Sequence, residues 1–265
     1  MRLKIVSCEV FCREFRHFAA GSEHIIDIAF QPFGLHDTPD KLRESTQAEI
    51  DRTPEGRYDY ILIGYGLCSR GTAGVTARHT PLVIPRAHDC ITMFLGSKER
   101  YAKKFSESPG TYYFSSGWIE RKDGLTEQGN VRIVKEEERK RRFQEYVEKY
   151  GLDNAQYLIQ IETEWLNNYR CAAFISLRIG HEETYRTFTK NVAHARGWDY
   201  EEIQGNTGLI QRFLDGNWSA EEFLVVPPGY RIVQTYDNNI VGVEGAASIG
   251  EGELTATEGV LERGK

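Results

Sequence analysis

The run Ile61-Leu62-Ile63-Gly64 is apolar without alternation, and it constrains the fold more than any other stretch of the chain. A strand with one wet face alternates apolar and polar residues, so an unbroken apolar run suits a central strand covered on both sides. Further strand candidates span residues 3–7, 25–30, 58–63 and 82–84, each followed by a turn with glycine, proline or cysteine. Between them, residues 39–52 read as a helix, with Thr38 at the cap, Pro39 at the first helical position and Leu42 and Ile50 facing inward. Strand, helix and strand in succession imply crossover connections. The expectation is an α/β fold with a mostly parallel, Rossmann-like sheet and its site at the carboxyl ends of the strands.

The same periodicities predict a helix at 98–105, a strand at 111–115 and a charged helix from about Val134 to Gly151. Beyond these come a helix at 155–166, a buried strand at 171–177, a helix at 182–196, a short helix at 206–214 and a strand at 223–226. Four segments follow: an α/β domain over 1–120, a charged helical connector over 121–150, a second α/β portion over 151–236 packing on the first, and a Gly/Glu-rich extended tail over 237–265.

Three cysteines stand just past strand candidates: Cys8 in KIVSC, Cys68 in YILIGYGLC and Cys90 in LVIPRAHDC. Carboxyl ends of parallel strands open onto one crevice, so thiols there can converge. The chain has five cysteines, an odd and low number that argues against a disulfide framework. The start, MRLKIVSCEVF, enters a strand pattern directly without an apolar leader, and no apolar run reaches the roughly 20 residues of a membrane span. The expected compartment is the cytoplasm, where thiols stay reduced. A net charge of −6 gives no reason to expect nucleic acid as a partner.

Polar groups gather beside these cysteines. The turn PRAHDC places Arg86, His88 and Asp89 next to Cys90, and GLHDTP places His36 at a comparable strand end. The loop GYGLCSRGTAG supplies Gly64, Tyr65 and Gly66 as candidate cofactor-binding residues, since glycine lets a backbone approach a ligand closely. It lacks both the Lys-Ser/Thr ending of a phosphate loop and the third glycine of a dinucleotide fingerprint. Asp89 and Asp37 also suit helix caps. Tyr112 and Trp118 can wall a pocket or fill a core, and Cys12 and Cys171 suit packing.

Structural zinc prefers paired C-x-x-C ligands, which this chain lacks. Three thiolates on three loops suit a [4Fe-4S] cluster with one open iron. Catalytic zinc on Cys68 and Cys90 with His36 or His88 is the competing metal site. The leading expectation is an iron-sulfur enzyme, a lyase, transferase or reductase, acting on a small anionic substrate. His36, Arg86, His88 and Asp89 then orient ligands or move protons. Two alternatives stand beside it: a non-catalytic module delivering a corrinoid or a methyl group, and a metal-free enzyme whose nucleophile, Cys68 or Cys90, is activated by His88.

The strings GLHDTPDKL, YGLCSRGTAG, PRAHDCITMFLGSKERY, PGTYYFSSGW and FLDGNW resemble the uncharacterised prokaryotic family catalogued as domain of unknown function sixteen thirty-eight. The resemblance runs from about residue 3 to about residue 230 and implies no established activity. It implies a setting beside corrinoid-dependent methyl-transfer proteins of one-carbon metabolism, and hence a corrinoid or methyltransferase partner. The cysteine arrangement is also similar in plan, without sequence match, to the three-cysteine cluster site of quinolinate synthase.

Overall fold

A computed structural model describes residues 1–121 and 136–245. The chain begins β1 (Arg2–Cys8), a 3-10 turn, α1 (Cys12–Ala19), β2 (Ile25–Gln31), α2 (Pro39–Asp51), β3 (Tyr60–Gly64), β4 (Leu82–Pro85), α3 (Cys90–Leu95) and α4 (Lys98–Glu107). It continues β5 (Thr111–Phe114), α5 (Ser116–Arg121), α6 (Glu136–Tyr150), α7 (Leu152–Glu164), β6 (Cys171–Ser176), α8 (Glu183–Arg196) and β7 (Asp199–Gln204). The described part closes with α9 (Gly208–Leu214), β8 (Phe223–Val226), β9 (Tyr230–Gln234) and β10 (Val241–Gly245).

Five strands form one sheet in the order β2-β1-β3-β4-β8. The first four pair in parallel and β8 lies antiparallel against β4, so the sheet is mixed but largely parallel. The Ile61–Ile63 run is buried throughout, as its lack of alternation requires. A second, three-stranded sheet, β5-β6-β7, is wholly parallel.

The two sheets interleave in sequence. β5, from the 1–120 segment, pairs with β6, and β8, from the 151–236 segment, returns to the larger sheet. β6 explains how they share a core: Ala173 and Ile175 join the large core with Ile5, Phe94 and Phe213, while Ala172 and Phe174 pack against Phe188 and Val192 of α8. Alternate residues of a strand face opposite ways, so β6 has a core on each side.

Three strands lie outside the sequence expectation. β7 reads DYEEIQ, in which only Ile203 is buried, because it is a sheet edge with one partner. β9 and β10 form an antiparallel hairpin, so the segment expected as a tail from Asp237 begins with a paired strand. Of the expected connector, residues 122–135 lie outside the described residues, as do 246–265 of the tail. Among the described residues no helix is long and apolar enough to cross a membrane.

The joint between the sheets is close. A Cβ on Gly117 of α5 would lie 1.9 Å from the carbonyl oxygen of Val10, so only glycine lets α5 lie against the turn after β1. Beside it, Arg13 Nε donates to Glu120 Oε1 at 2.7 Å and Nη2 donates to Tyr185 Oη at 2.9 Å, tying α1 to α5 and α8. Glu14, 2 % exposed with Oε2 unpartnered, is lifted by burial to a pKa of about 7.

Because that folded pKa exceeds the unfolded one, Glu14 contributes its full stability below about pH 4.5 and loses it as pH rises through about 7. We expect Glu14→Gln to gain on the wild type between pH 5 and pH 8, by roughly 3 kcal/mol at most, in denaturant titrations. A difference that does not change with pH would contradict this. Gly117→Ala should cost on the order of 3 kcal/mol in the same assay, from the clash with Val10.

Candidate functional site

Cys8 is the last residue of β1, where the chain bends into the turn Glu9–Phe11 and the backbone N–H of Val10 donates to Cys8 Sγ at 3.5 Å. Cys68 and Cys90 come from the loops after β3 and β4, and those loops are zipped together. Leu67 N donates to Ala87 O and Cys68 N donates to His88 O, both at 2.8 Å. Gly66 makes this contact possible, since a Cβ there would stand 2.7 Å from Ala87 O and 2.8 Å from Asp89 N. Past the zipper, Cys68, Ser69 and Arg70 are left-handed, with φ of 45°, 54° and 69°. Such a conformation costs about 1–2 kcal/mol per L-residue. Gly71 N to Cys68 O at 2.9 Å and Thr72 Oγ1 to Gly66 O at 3.1 Å help to hold it.

All three thiols line one cavity of about 440 Å³. Its other walls include Tyr112 of β5, Trp118 of α5 and Tyr169 just before β6, so residues from the segments of both sheets line it. β1 leads to β2 on one side of it and β3 lies on the other, so the chain direction across the sheet reverses between β1 and β3. Cys8 and Cys68 follow those two strands.

The thiols sense one another. Burial lifts Cys8 to about 11, with the neighbouring Glu9 adding to the rise. Burial first, then the charges of Asp89 and Cys8, lift Cys68 to about 12. Cys90 is pushed well up by burial and then by Asp89, Cys68 and Cys8. Three thiolates are therefore unfavourable here unless a cation compensates them, which is what a bound metal does. Among the described residues, no group of three or more His, Cys, Asp or Glu side chains is gathered so that it could hold a metal ion.

The remaining expected residues divide. Asp89 caps α3, with Oδ1 accepting from Ile91 N at 3.0 Å and Thr92 N at 3.3 Å, while Oδ2 accepts from Tyr101 Oη at 3.2 Å. It also lines the cavity. His36 lines it too, with Nε2 3.4 Å from Asp37 Oδ1. His88 lines it and also a second cavity of about 600 Å³ beside α4. Tyr65 is in the wall and donates to Gln31 Oε1 at 3.3 Å.

Arg86 and Gly64 lie elsewhere. The Arg86 guanidinium donates to the carbonyls of Ala220 at 2.8 Å, Asn239 at 3.1 Å and Val241, which fastens the β9–β10 turn to the larger sheet. Gly64 is packed against β1, where a Cβ would be 2.5 Å from Ser7 Cβ. Cys12 and Cys171 are buried and do not line the cavity.

The residues that sequence reasoning missed are Phe33, Tyr101 and Tyr169, which join Tyr112 and Trp118 in the wall. Behind the wall stands Gln31, the register partner of Cys8 across β1 and β2, which accepts from Tyr65. A strand-end position was its only signal.

These features define an α/β protein with a three-thiol cavity between two sheets. The chain belongs to the family described as protein of unknown function (DUF1638), whose model matches residues 30–214. No curated protein and no solved structure matches it.

In metal-free protein, alkylation of Cys8 and Cys68 should accelerate with pH without a midpoint below about pH 10, given their lifted pKa values. Mass spectrometry of each peptide after iodoacetamide pulses reads this, and a midpoint near pH 8 would refute it.

Proposed function

We propose that this protein is an iron-sulfur enzyme in which Cys8, Cys68 and Cys90 hold a [4Fe-4S] cluster whose fourth iron is open to substrate. The observation that carries this is the lining of one cavity by three thiols that follow three adjacent parallel strands. In open α/β sheets, ligands bind outside the carboxyl ends of the strands where the strand order reverses. Cys8 and Cys68 flank that reversal, and the sheet order is consistent with a Rossmann-like doubly wound plan.

Thiolate donors carried on separate loops suit such a group. One zinc ion requires donors within about 2.3 Å of a single point, whereas a cubane presents a separate iron to each thiolate, so its ligands can stand round a cavity. Thiols at the ends of separate strands are of the second kind. A metal-free nucleophile is less well supported, because burial and neighbouring charge hold Cys68 and Cys90 as thiols. The left-handed turn at Cys68 is further support, since strained backbone collects at sites where position matters more than local stability.

When bound, the cluster would supply a Lewis-acidic iron or an electron-transfer centre. The chain's own residues provide the rest. Aromatic rings line the cavity, Asp89 and Tyr101 fix the loop that carries Cys90, and His36 and His88 are the candidate proton carriers. The expected small anionic substrate would meet His36 and His88 rather than Arg86, which is engaged with backbone carbonyls.

Anaerobic purification should yield brown protein with about four irons per chain. Alanine at Cys8, Cys68 or Cys90 should lower the iron content, while alanine at Cys171 should leave it unchanged. Colourless, iron-free protein after anaerobic reconstitution would sink the proposal and return attention to corrinoid or methyl-group delivery, which needs no iron.

A further inference from the structure

A buried amide stands beside the first of the three thiols. Gln31, the last residue of β2, is 3 % exposed, and among the described residues its Nε2 has no hydrogen-bond partner. Its Oε1 accepts from Tyr65 Oη and from Thr46 Oγ1 of α2, each at 3.3 Å. A carbonyl oxygen has two lone pairs, so the two hydroxyls occupy it and leave the amide nitrogen turned elsewhere. Buried side-chain donors are rarely left without an acceptor, because the desolvated N–H is costly.

The register of the sheet says what lies next to that nitrogen. Cys8 of β1 pairs with Gln31 of β2, and adjacent strands lie about 4.8 Å apart, so the two side chains leave one face of the sheet as neighbours. On the other side of β1, Ser7 pairs with Gly64, and Tyr65 is the next residue along. Gln31, Cys8 and Tyr65 therefore stand in one row, and the Tyr65 hydroxyl reaches Gln31 across the middle member. Cys8 Sγ already accepts from the backbone N–H of Val10 at 3.5 Å. A neutral thiol is a weak acceptor, whereas a thiolate carries charge and accepts strongly. The amide thus adjoins an acceptor that becomes good when Cys8 gives up its proton, which is the state in which a cysteine ligates metal.

We propose that Gln31 is a positioning residue of the thiol site: its Nε2 donates to the sulfur of Cys8 in the thiolate state, and Tyr65 and Thr46 hold the amide in the orientation that allows this. Donors behind a metal ligand orient it, and hydrogen bonds to sulfur help to set the reduction potential of a cluster. The inference rests on Cys8 being a ligand of the proposed site. The hydrogen bond itself belongs to the thiolate and forms with or without iron. Gln31 is not part of the cavity lining, so its influence reaches the cavity through Cys8.

Gln31→Met keeps the length of the side chain and removes the donor. In metal-free full-length protein, iodoacetamide pulses at about pH 9 are followed peptide by peptide. Cys8 should react at least about threefold more slowly in Gln31→Met than in the wild type, with Cys68 and Cys90 unchanged. A merely structural loss would expose all three thiols and speed them together. Gln31→Asn draws the amide back by one methylene and should slow Cys8 in the same way, so it decides if Gln31→Met does not fold. In iron-loaded protein, Gln31→Met should leave the iron content unchanged and move the reduction potential to a more negative value, since the lost N–H favoured the reduced, more negatively charged cluster.

An unchanged Cys8, or a change shared by all three thiols, would overturn the inference. So would a faster Cys8, which is the result expected if the amide carbonyl, not the nitrogen, faced the thiol. Iron analysis of the same samples separates the two proposals. Iron-free protein in which Cys8 alone slows would retire the cluster and keep the bond from Gln31. Iron-loaded protein with an unchanged Cys8 rate and an unchanged potential would do the reverse.

Discussion

The contact on which the rest of the site depends is the zipper between the loops after β3 and β4. Two backbone hydrogen bonds, Leu67 N to Ala87 O and Cys68 N to His88 O, join the loops beyond the strands. Main-chain groups that would otherwise be buried without partners are thereby satisfied. Gly66 is the condition for it, because any side chain there would collide with the backbone of Ala87 and Asp89. The joined loops carry Cys68 and Cys90, and β1 places Cys8 by its register with β2, opposite Gln31.

A second constraint faces that edge. Gly117 lets α5 approach Val10, and Arg13, Glu120 and Tyr185 hold the contact from the other side. Tyr112 of the three-stranded sheet and Trp118 of α5 line the same cavity as the thiols. The cavity is lined by residues from the segments of both sheets, whose two cores share β6.

Much of this was legible in the sequence, and the limits have physical causes. Apolar runs without alternation marked β3, β4 and β6, whose residues beyond Tyr60 are all buried, because burial on both faces leaves no other pattern. β7 was hidden because an edge strand with exposed acids looks like a loop. The strand-end positions of the cysteines could be read, but not that β5 would cross to the second sheet and bring Tyr112 over them. Arg86 illustrates the general difficulty. It sits in sequence beside His88 and Asp89, yet its guanidinium finds the carbonyls of Ala220, Asn239 and Val241, partners far along the chain that no local pattern announces. The rings around the cavity come from distant segments for the same reason, since only the assembled sheets make them neighbours.

The left-handed turn from Cys68 to Arg70 ties that thiol to the fold as a whole. Three successive L-residues in that conformation are disfavoured by about 1–2 kcal/mol each, so contacts from outside the turn must offset the cost. They come from the loop after β4, through Cys68 N and His88 O, and from Thr72 Oγ1 on Gly66 O. A change that loosens either loop is therefore felt at Cys68, because the turn has little preference of its own for the conformation it adopts.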